Sequence, residues 1–347
     1  MAQVSLSDPL KVGVVGVGYL GRFHALIYAR LAGVELVGVC DTSGERAASV
    51  AKEAECAAWD DPLALIGQVD AVSIAVPTTA HREVACAYLE QGIHVLLEKP
   101  LAVDAREGAE IVSAAERQGA ILQVGHLERF NAGVMALAER IHAPRYIEAQ
   151  RMGGFVERAT DVDVVADLMI HDIDIILALV NAELVDVRAV GTPVLTSCID
   201  IASARLQFSN GTVANTVASR VSDKKTRRIR VFQPQGYLSL DFIGQTLDSA
   251  VPEQREAGQR AEIQRSRVLV EPVQPLDREI EAFVQCVRQH ERPLVDGQTG
   301  LRALEVALQV QASIAEQQTA MTPAADASPA SNPASDSIPE SNFKPNG

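Results

Sequence analysis

Three side chains of this 347-residue chain are suited to moving a proton: Lys99, Asp167 and His171. Lys99 belongs to Glu98-Lys99-Pro100, which follows the apolar run Ile93-His94-Val95-Leu96-Leu97, so an amine stands at the end of a buried strand. Asp167 and His171 are four residues apart in a helical-looking segment, with Asp172 beside the histidine. Side chains at that spacing project from one helical face. Removing the proton of a secondary alcohol requires a positioned base, and either Lys99 or His171 can serve, alone or together. Asp167 would then orient a partner or hold a hydroxyl. The competing reading makes His171 a satisfied structural residue of an amphipathic helix. No further His, Cys or acidic ligands stand at a metal-binding spacing, so no metal is expected.

A proton acceptor oxidises an alcohol only beside a hydride acceptor, and the first fifty residues predict where one binds. Lys11-Val12-Gly13-Val14-Val15 runs into Gly16-Val17-Gly18-Tyr19-Leu20-Gly21, with a helix-like stretch after it. A strand, this glycine spacing and a helix together form the context of a dinucleotide-binding turn. Gly16 permits the turn, Gly18 lets a pyrophosphate approach the backbone, and Gly21 allows close helix–sheet packing. The helix start offers unpaired N–H groups to the phosphates. Asp41 ends the second strand twenty residues after Gly21, where its carboxylate suits ribose hydroxyls and repels a 2′-phosphate. NAD is therefore the expected cofactor, with nearby Arg46 the one feature that favours NADP. Oxidised nicotinamide beside Lys99 would favour the neutral amine by charge crowding.

These residues need a scaffold. Candidate strands Val12–Val15, Val34–Cys40, Ala71–Val76, Val95–Leu97 and Ile121–Val124 alternate with helix-like Gly21–Ala32, Gly44–Ala54, His81–Gln91 and Ala105–Gln118. That alternation predicts an α/β Rossmann domain, a doubly wound parallel sheet, over residues 1–125. A helix near Ala132–Ile141 begins a second, α+β domain over residues 126–319. Its candidate strands are Arg145–Arg151, Val185–Val190, Ile199–Phe208, Val213–Ser219, Arg228–Phe232 and Tyr237–Phe242. Several show period-2 burial patterning, and Asn210-Gly211 and Gln235-Gly236 are turn signals, so this open sheet is expected to be mainly antiparallel. Asp277–Gln289 and Gly300–Gln318 have helical spacing. Residues 320–347 are rich in Ala, Ser, Pro and Asn and are expected to be a disordered tail.

Composition narrows the partners. With 47% hydrophobic and 22% charged residues the chain can bury a sizeable core, and its formal charge of −14 opposes nonspecific binding to nucleic acid or anionic membranes. No apolar run reaches the roughly 18 residues of a membrane span. The N-terminus lacks a signal-peptide pattern, and the five scattered cysteines form no C-x-x-C pair, so a cytoplasmic location is expected.

The motifs together resemble those of the GFO/IDH/MocA oxidoreductases over nearly all of residues 10–318. The carriers are the Gly16–Gly21 turn, Val76-Pro77-Thr78 followed by His81, Glu98-Lys99-Pro100, Val124-Gly125-His126 and Asp167-Leu168-Met169-Ile170-His171-Asp172. The resemblance implies cofactor contacts from Tyr19, Leu20, Pro77, Thr78, His81 and His126, with Glu98 near the nicotinamide ribose and Lys99 against the reacting carbon. It also implies an open antiparallel sheet used for contacts in a homo-oligomer, a dimer or tetramer.

His126-Leu127-Glu128-Arg129-Phe130-Asn131 follows the last strand of the first domain. The string resembles the branch that oxidises nucleotide-linked amino sugars, implying C3 of UDP-N-acetylglucosamine, ahead of an aminotransferase in lipid A or surface-polysaccharide synthesis. Arg129 would hold a substrate phosphate. Asn131 would bind a sugar hydroxyl or acetamido group, or cap the next helix. The alternatives are a free sugar or inositol-type polyol as substrate, or a non-catalytic sensor. The basic run Lys224, Lys225, Arg227, Arg228, Arg230 is either a phosphate site or a solvated strand face.

Overall fold

The computed structural model describes residues 8–156, 162–253, 262–270 and 273–321. The tail expected from residue 320 onward lies almost wholly outside them.

The first sheet has six parallel strands: β1 (Leu10–Val15), β2 (Val34–Cys40), β3 (Ala57–Trp59), β4 (Ala71–Ile74), β5 (His94–Glu98) and β6 (Leu122–Gly125), in the order β3-β2-β1-β4-β5-β6. The order reverses between β1 and β4, so their carboxyl ends open a crevice, where doubly wound sheets bind ligands. The strands read as near-continuous apolar runs because helices cover both faces: α1 (Tyr19–Arg30), α2 (Gly44–Ala54), α3 (His81–Leu89) and α4 (Ala105–Gln118). Local chemistry sets the helix ends. Asp104 caps α4 by accepting the Glu107 N–H at 2.8 Å, and Gly119 closes it at φ 62°. The three-residue β3 is too short to show a period and was not expected from the sequence.

After α5 (Ala132–Ala138), β7 (Tyr146–Met152), α6 (Ile170–Val180), β8 (Leu184–Thr192), β9 (Ile201–Phe208), β10 (Val213–Ser219), β11 (Thr226–Gln233), β12 (Gly236–Asp241), β13 (Thr246–Pro252) and β14 (Ile263–Val268) build the second domain. Its eight strands run β14-β13-β12-β11-β7-β10-β9-β8, antiparallel throughout except where β7 and β10 pair in parallel. Both turn signals join paired strands, β9 to β10 and β11 to β12. β13 and β14 were not expected: β13 mixes polar and apolar residues without strict alternation, and β14 is polar and largely exposed.

Two late helices lock the sheets together. α7 (Pro275–Gln289) buries Ile280, Phe283 and Val287 in the core beside β1 and α1, so the chain returns to the first sheet after completing the second. α8 (Gly297–Met321) places Leu304 in the core of the first sheet and Val306, Val310 and Ile314 in that of the second. The cleft between the sheets is thereby held by packed helices on one side.

Candidate active site

The glycine turn follows β1. Gly16 has φ 83°, and a Cβ there would lie 2.7 Å from the Ala75 carbonyl carbon, so this position admits only glycine. A Cβ at Gly21 would collide with the Gly16 carbonyl oxygen, which fixes the close approach of α1 to the turn. Gly18 differs: a Cβ there would meet nothing within 4 Å. Open space over Gly18, at the uncapped start of α1, suits a pyrophosphate against backbone N–H groups. Asp41 stands at the end of β2 with Oδ2 accepting the Val17 N–H and Oδ1 the Ser43 N–H, both at 2.9 Å. Arg46 reaches the same Oδ2 at 3.3 Å, a contact that sequence spacing only hinted at.

Across the crevice, a cleft of about 750 Å³ is lined by Tyr19, Leu20, Ala75, Glu98 and Lys99 from the first domain and by Asp167, Leu168 and His171 from the second. Lys99 donates from Nζ to the Asp167 carbonyl oxygen at 2.7 Å and to its Oδ1 at 3.3 Å, across 68 residues of sequence. The expected triad of Lys99, Asp167 and His171 therefore shares one wall. The segment carrying the last two is not a uniform α-helix: Val165–Met169 is a π-helical turn that feeds α6. Asp163 starts it, its Oδ1 accepting the Val165 and Ala166 N–H groups at 2.8 and 3.0 Å. Inserted π turns recur at functional sites because they redirect side chains within a helix.

His171 has its Nδ1 buried without a hydrogen-bond partner among the described residues, which leaves Nε2 as the nitrogen presented to the cleft. Burial, followed by the charges of Lys99 and Arg151, pushes its pKa well below the ordinary histidine range, so the ring is neutral at neutral pH. His126 packs edge-on against it, ring centroids 6.2 Å apart, and burial lowers its pKa as well. His126 is 1% exposed and stands behind His171, not on the cleft surface.

The remaining expected residues divide. Glu98 lines the cleft, with Oε1 3.2 Å from Nε2 of buried His24. Burial drives its pKa up, but His24 and then Lys99 outweigh that and hold it below the usual carboxylate range. Pro77 and Thr78 lie in the turn after β4, beyond Ala75. His81 is a buried brace: Nδ1 lies 2.9 Å from the Pro100 carbonyl and Nε2 3.0 Å from that of Val76, joining the loops after β4 and β5. Arg129 turns inward, 3.3 Å from Asp174 Oδ1, and Asn131 caps α5 by accepting the Gly133 N–H at 2.9 Å; neither lines the cleft.

Arg151 was missed from the sequence. It is 3% exposed, forks onto Asp172 at 2.8 and 3.2 Å, and donates to Glu128 at 2.9 Å. The signal was present: β7 alternates Ile147, Ala149, Arg151 on its buried face, and a charge at such a position requires partners. Burial raises the Asp172 pKa and Arg151 recovers only part of that, so this aspartate serves Arg151 and not His171. Of the basic run, Lys225 and Arg227 line the cleft. Among the described residues no metal-binding cluster and no disulfide occurs, and no helix is long and apolar enough to cross a membrane.

Comparison with known proteins gives the family. Residues 10–126 match the family model of oxidoreductases with an NAD-binding Rossmann fold, and residues 137–239 match the GFO/IDH/MocA C-terminal domain. UDP-N-acetylglucosamine 3-dehydrogenase of Acidithiobacillus ferrooxidans is 41% identical over 309 residues, covering 88% of this chain and 97% of that protein. A solved structure of that enzyme superposes with a TM-score of 0.84 at 40% identity, over 88% of this chain and 97% of the other. The NAD-dependent scyllo-inositol 2-dehydrogenase of Bacillus subtilis is 29% identical, covering 62% of this chain and 69% of its own.

Proposed function

This chain belongs to the GFO/IDH/MocA oxidoreductase family and is an NAD-dependent oxidoreductase of CH–OH groups, and from that premise we propose that it oxidises the C3 hydroxyl of UDP-N-acetylglucosamine to the 3-keto sugar. The observation that carries this reading is the convergence of Lys99, Asp167 and His171, from two domains, on one wall of the cleft at the glycine turn. The 41% identity to an enzyme of that name directs the choice of sugar.

Gly16, Gly18 and the start of α1 would hold the pyrophosphate of NAD, Asp41 the adenosine ribose, and Glu98 the nicotinamide ribose, with Tyr19 and Leu20 closing over the turn. NAD held there would supply the hydride acceptor. Lys99 is placed to take the hydroxyl proton, with the Asp167 carbonyl oxygen and Oδ1 accepting from its Nζ. His171 orients the hydroxyl through Nε2. Burial, nearby cations and an Nδ1 with no partner among the described residues disfavour an imidazolium, so it is a poor place to leave the proton.

We read residues up to 125 as the cofactor domain and residues 126–319 as the substrate and oligomer domain, with α7 bracing the former. Tyr146, Phe232 and Tyr237 stack at centroid distances of 5.7 and 5.2 Å on the sheet face opposite the apolar core, a surface suited to a second copy in a dimer or tetramer. The free cysteines suit a cytoplasmic setting.

Incubating the protein with NAD and a panel of UDP-sugars, free sugars and inositols tests the reading. Reduced nicotinamide is expected with UDP-N-acetylglucosamine, with a coupled aminotransferase drawing off the keto product. Turnover of a free polyol without turnover of any UDP-sugar would overturn it.

A further inference from the structure

The five cations of Lys224–Arg230 separate in space because successive residues of a strand point to opposite faces. Ile229 and Val231 are fully buried on the core face of β11, and Arg227 shares their parity. Arg228 and Arg230 have the other parity, and Arg230 is held there by Glu148 and by the Phe232 ring, 5.7 Å from its guanidinium carbon. Arg227 and Lys225 instead line the same cleft as Lys99 and His171, at its second-domain end, where Gly153 and Gly154 bring bare backbone to the surface. A Cβ at Gly153 would meet nothing within 4 Å.

Arg227 also stands directly opposite Arg151 in the β7–β11 pairing. Two guanidiniums side by side repel unless one is neutralised. Asp172 and Glu128 do this for Arg151. In a chain of net charge −14, Lys225 and Arg227 place two cationic side chains at the end of the cleft supplied by the sheet domain. A cleft of about 750 Å³ is within the range that encloses ligands larger than one sugar ring.

We infer that Lys225 and Arg227 form the subsite for the diphosphate of the nucleotide sugar, with the sugar ring reaching past Leu168 to Lys99 and His171. The inference rests on the nucleotide-sugar reading above and assigns its phosphate recognition to β11 and not to Arg129, which faces Asp174. A planar guanidinium and an adjacent ammonium suit phosphate oxygens on neighbouring phosphorus atoms.

The test is binding of UDP alone by calorimetry with NAD saturating, so that the dinucleotide site is filled, in wild type, Lys225→Met, Arg227→Met and Arg227→Lys. UDP affinity should fall about tenfold or more for each methionine variant, in line with a lost charge-assisted hydrogen bond. Arg227→Lys should recover part of it. KM for UDP-N-acetylglucosamine should rise in parallel with kcat little changed, while NADH binding and melting temperature report on folding. Lys225 is exposed, so its variant reads recognition even if Arg227 also supports the fold. If wild type binds UDP and both methionine variants bind it equally well, the subsite lies elsewhere and the nucleotide-sugar reading stands. If NAD-saturated wild type neither binds UDP nor oxidises any UDP-sugar, that reading falls and takes the subsite with it.

Discussion

Asp41 Oδ2 accepts the backbone N–H of Val17 at 2.9 Å, tying the end of β2 to the middle of the glycine turn. The same oxygen receives Arg46 at 3.3 Å, so one carboxylate shapes the cofactor loop and restrains the nearest cation. Asp41→Ser should therefore do two things at once. NAD should bind more weakly, by about tenfold or more, for the loss of charge-assisted contacts. Arg46, released, should favour a 2′-phosphate, so the ratio of kcat/KM for NAD over NADP should drop. An unchanged ratio would mean that Asp41 serves only the loop.

Lys99 and His171 are expected to act on one hydroxyl. Lys99→Met should lower kcat by roughly 10²–10⁴, the range of a positioned acid–base group, while NAD binding is kept. His171→Ala should also lower kcat and keep NAD binding. The double variant should lose far less than the product of the two single losses. Near-normal kcat/KM in His171→Ala would make that histidine structural, and turnover kept in both single variants would overturn the mechanism.

Arg151, Asp172 and Glu128 join β7, α6 and the turn after β6 in one buried cluster. Arg151→Met leaves two buried carboxylates facing each other. Breaking a buried pair from one side costs about 3–5 kcal/mol, so urea unfolding should show a loss of that order. A loss below about 1 kcal/mol, the scale of an exposed pair, would show that the cluster is solvated in solution.

Glu279 of α7 is fully buried, and neither of its carboxylate oxygens has a hydrogen-bond partner among the described residues. Burial, then the charges of Glu98 and Asp174, raise its pKa well above the usual value. The folded state thus holds a proton that the unfolded state releases above its ordinary pKa of 4.5. Its contribution is fully present below that pH and is lost as pH rises toward the folded value. Glu279→Gln, which cannot ionise, should gain stability relative to wild type as pH increases from 5 to 8, read as a widening difference in urea midpoint. A pH-independent difference would place a charged, solvated carboxylate there.

Local signals made most of the first domain legible in the sequence. Each parallel strand is a short apolar run and each helix has a capping residue or apolar stripe, so α2 and α4 begin and end where spacing predicted. The glycine turn was legible because Gly16 and Gly21 are demanded by backbone geometry within a few residues. Lys99 was legible because a charge at the end of a buried strand is conspicuous. β13 and β14 were not, since the buried Leu247 and Ala250 of β13 are three residues apart and the exposed, polar β14 carries no period-2 hydrophobic signal.

What the sequence by itself determined, then, is the alternation of strands and helices in the first domain, the glycine turn and an amine at the end of a buried strand, all consequences of short-range sterics and burial patterns. Only the tertiary structure decided which charges meet. Lys99 finds Asp167 across 68 residues, Arg129 is spent on Asp174 across 45, and α7 returns to a sheet that ended 150 residues earlier, at Gly125. The basic run is five like charges in sequence, yet strand alternation turns Arg227 into the cleft and Arg228 and Arg230 to the opposite face. Long-range register sets which face of a strand is buried, and with it whether a cation lines the cleft, braces the core or meets solvent.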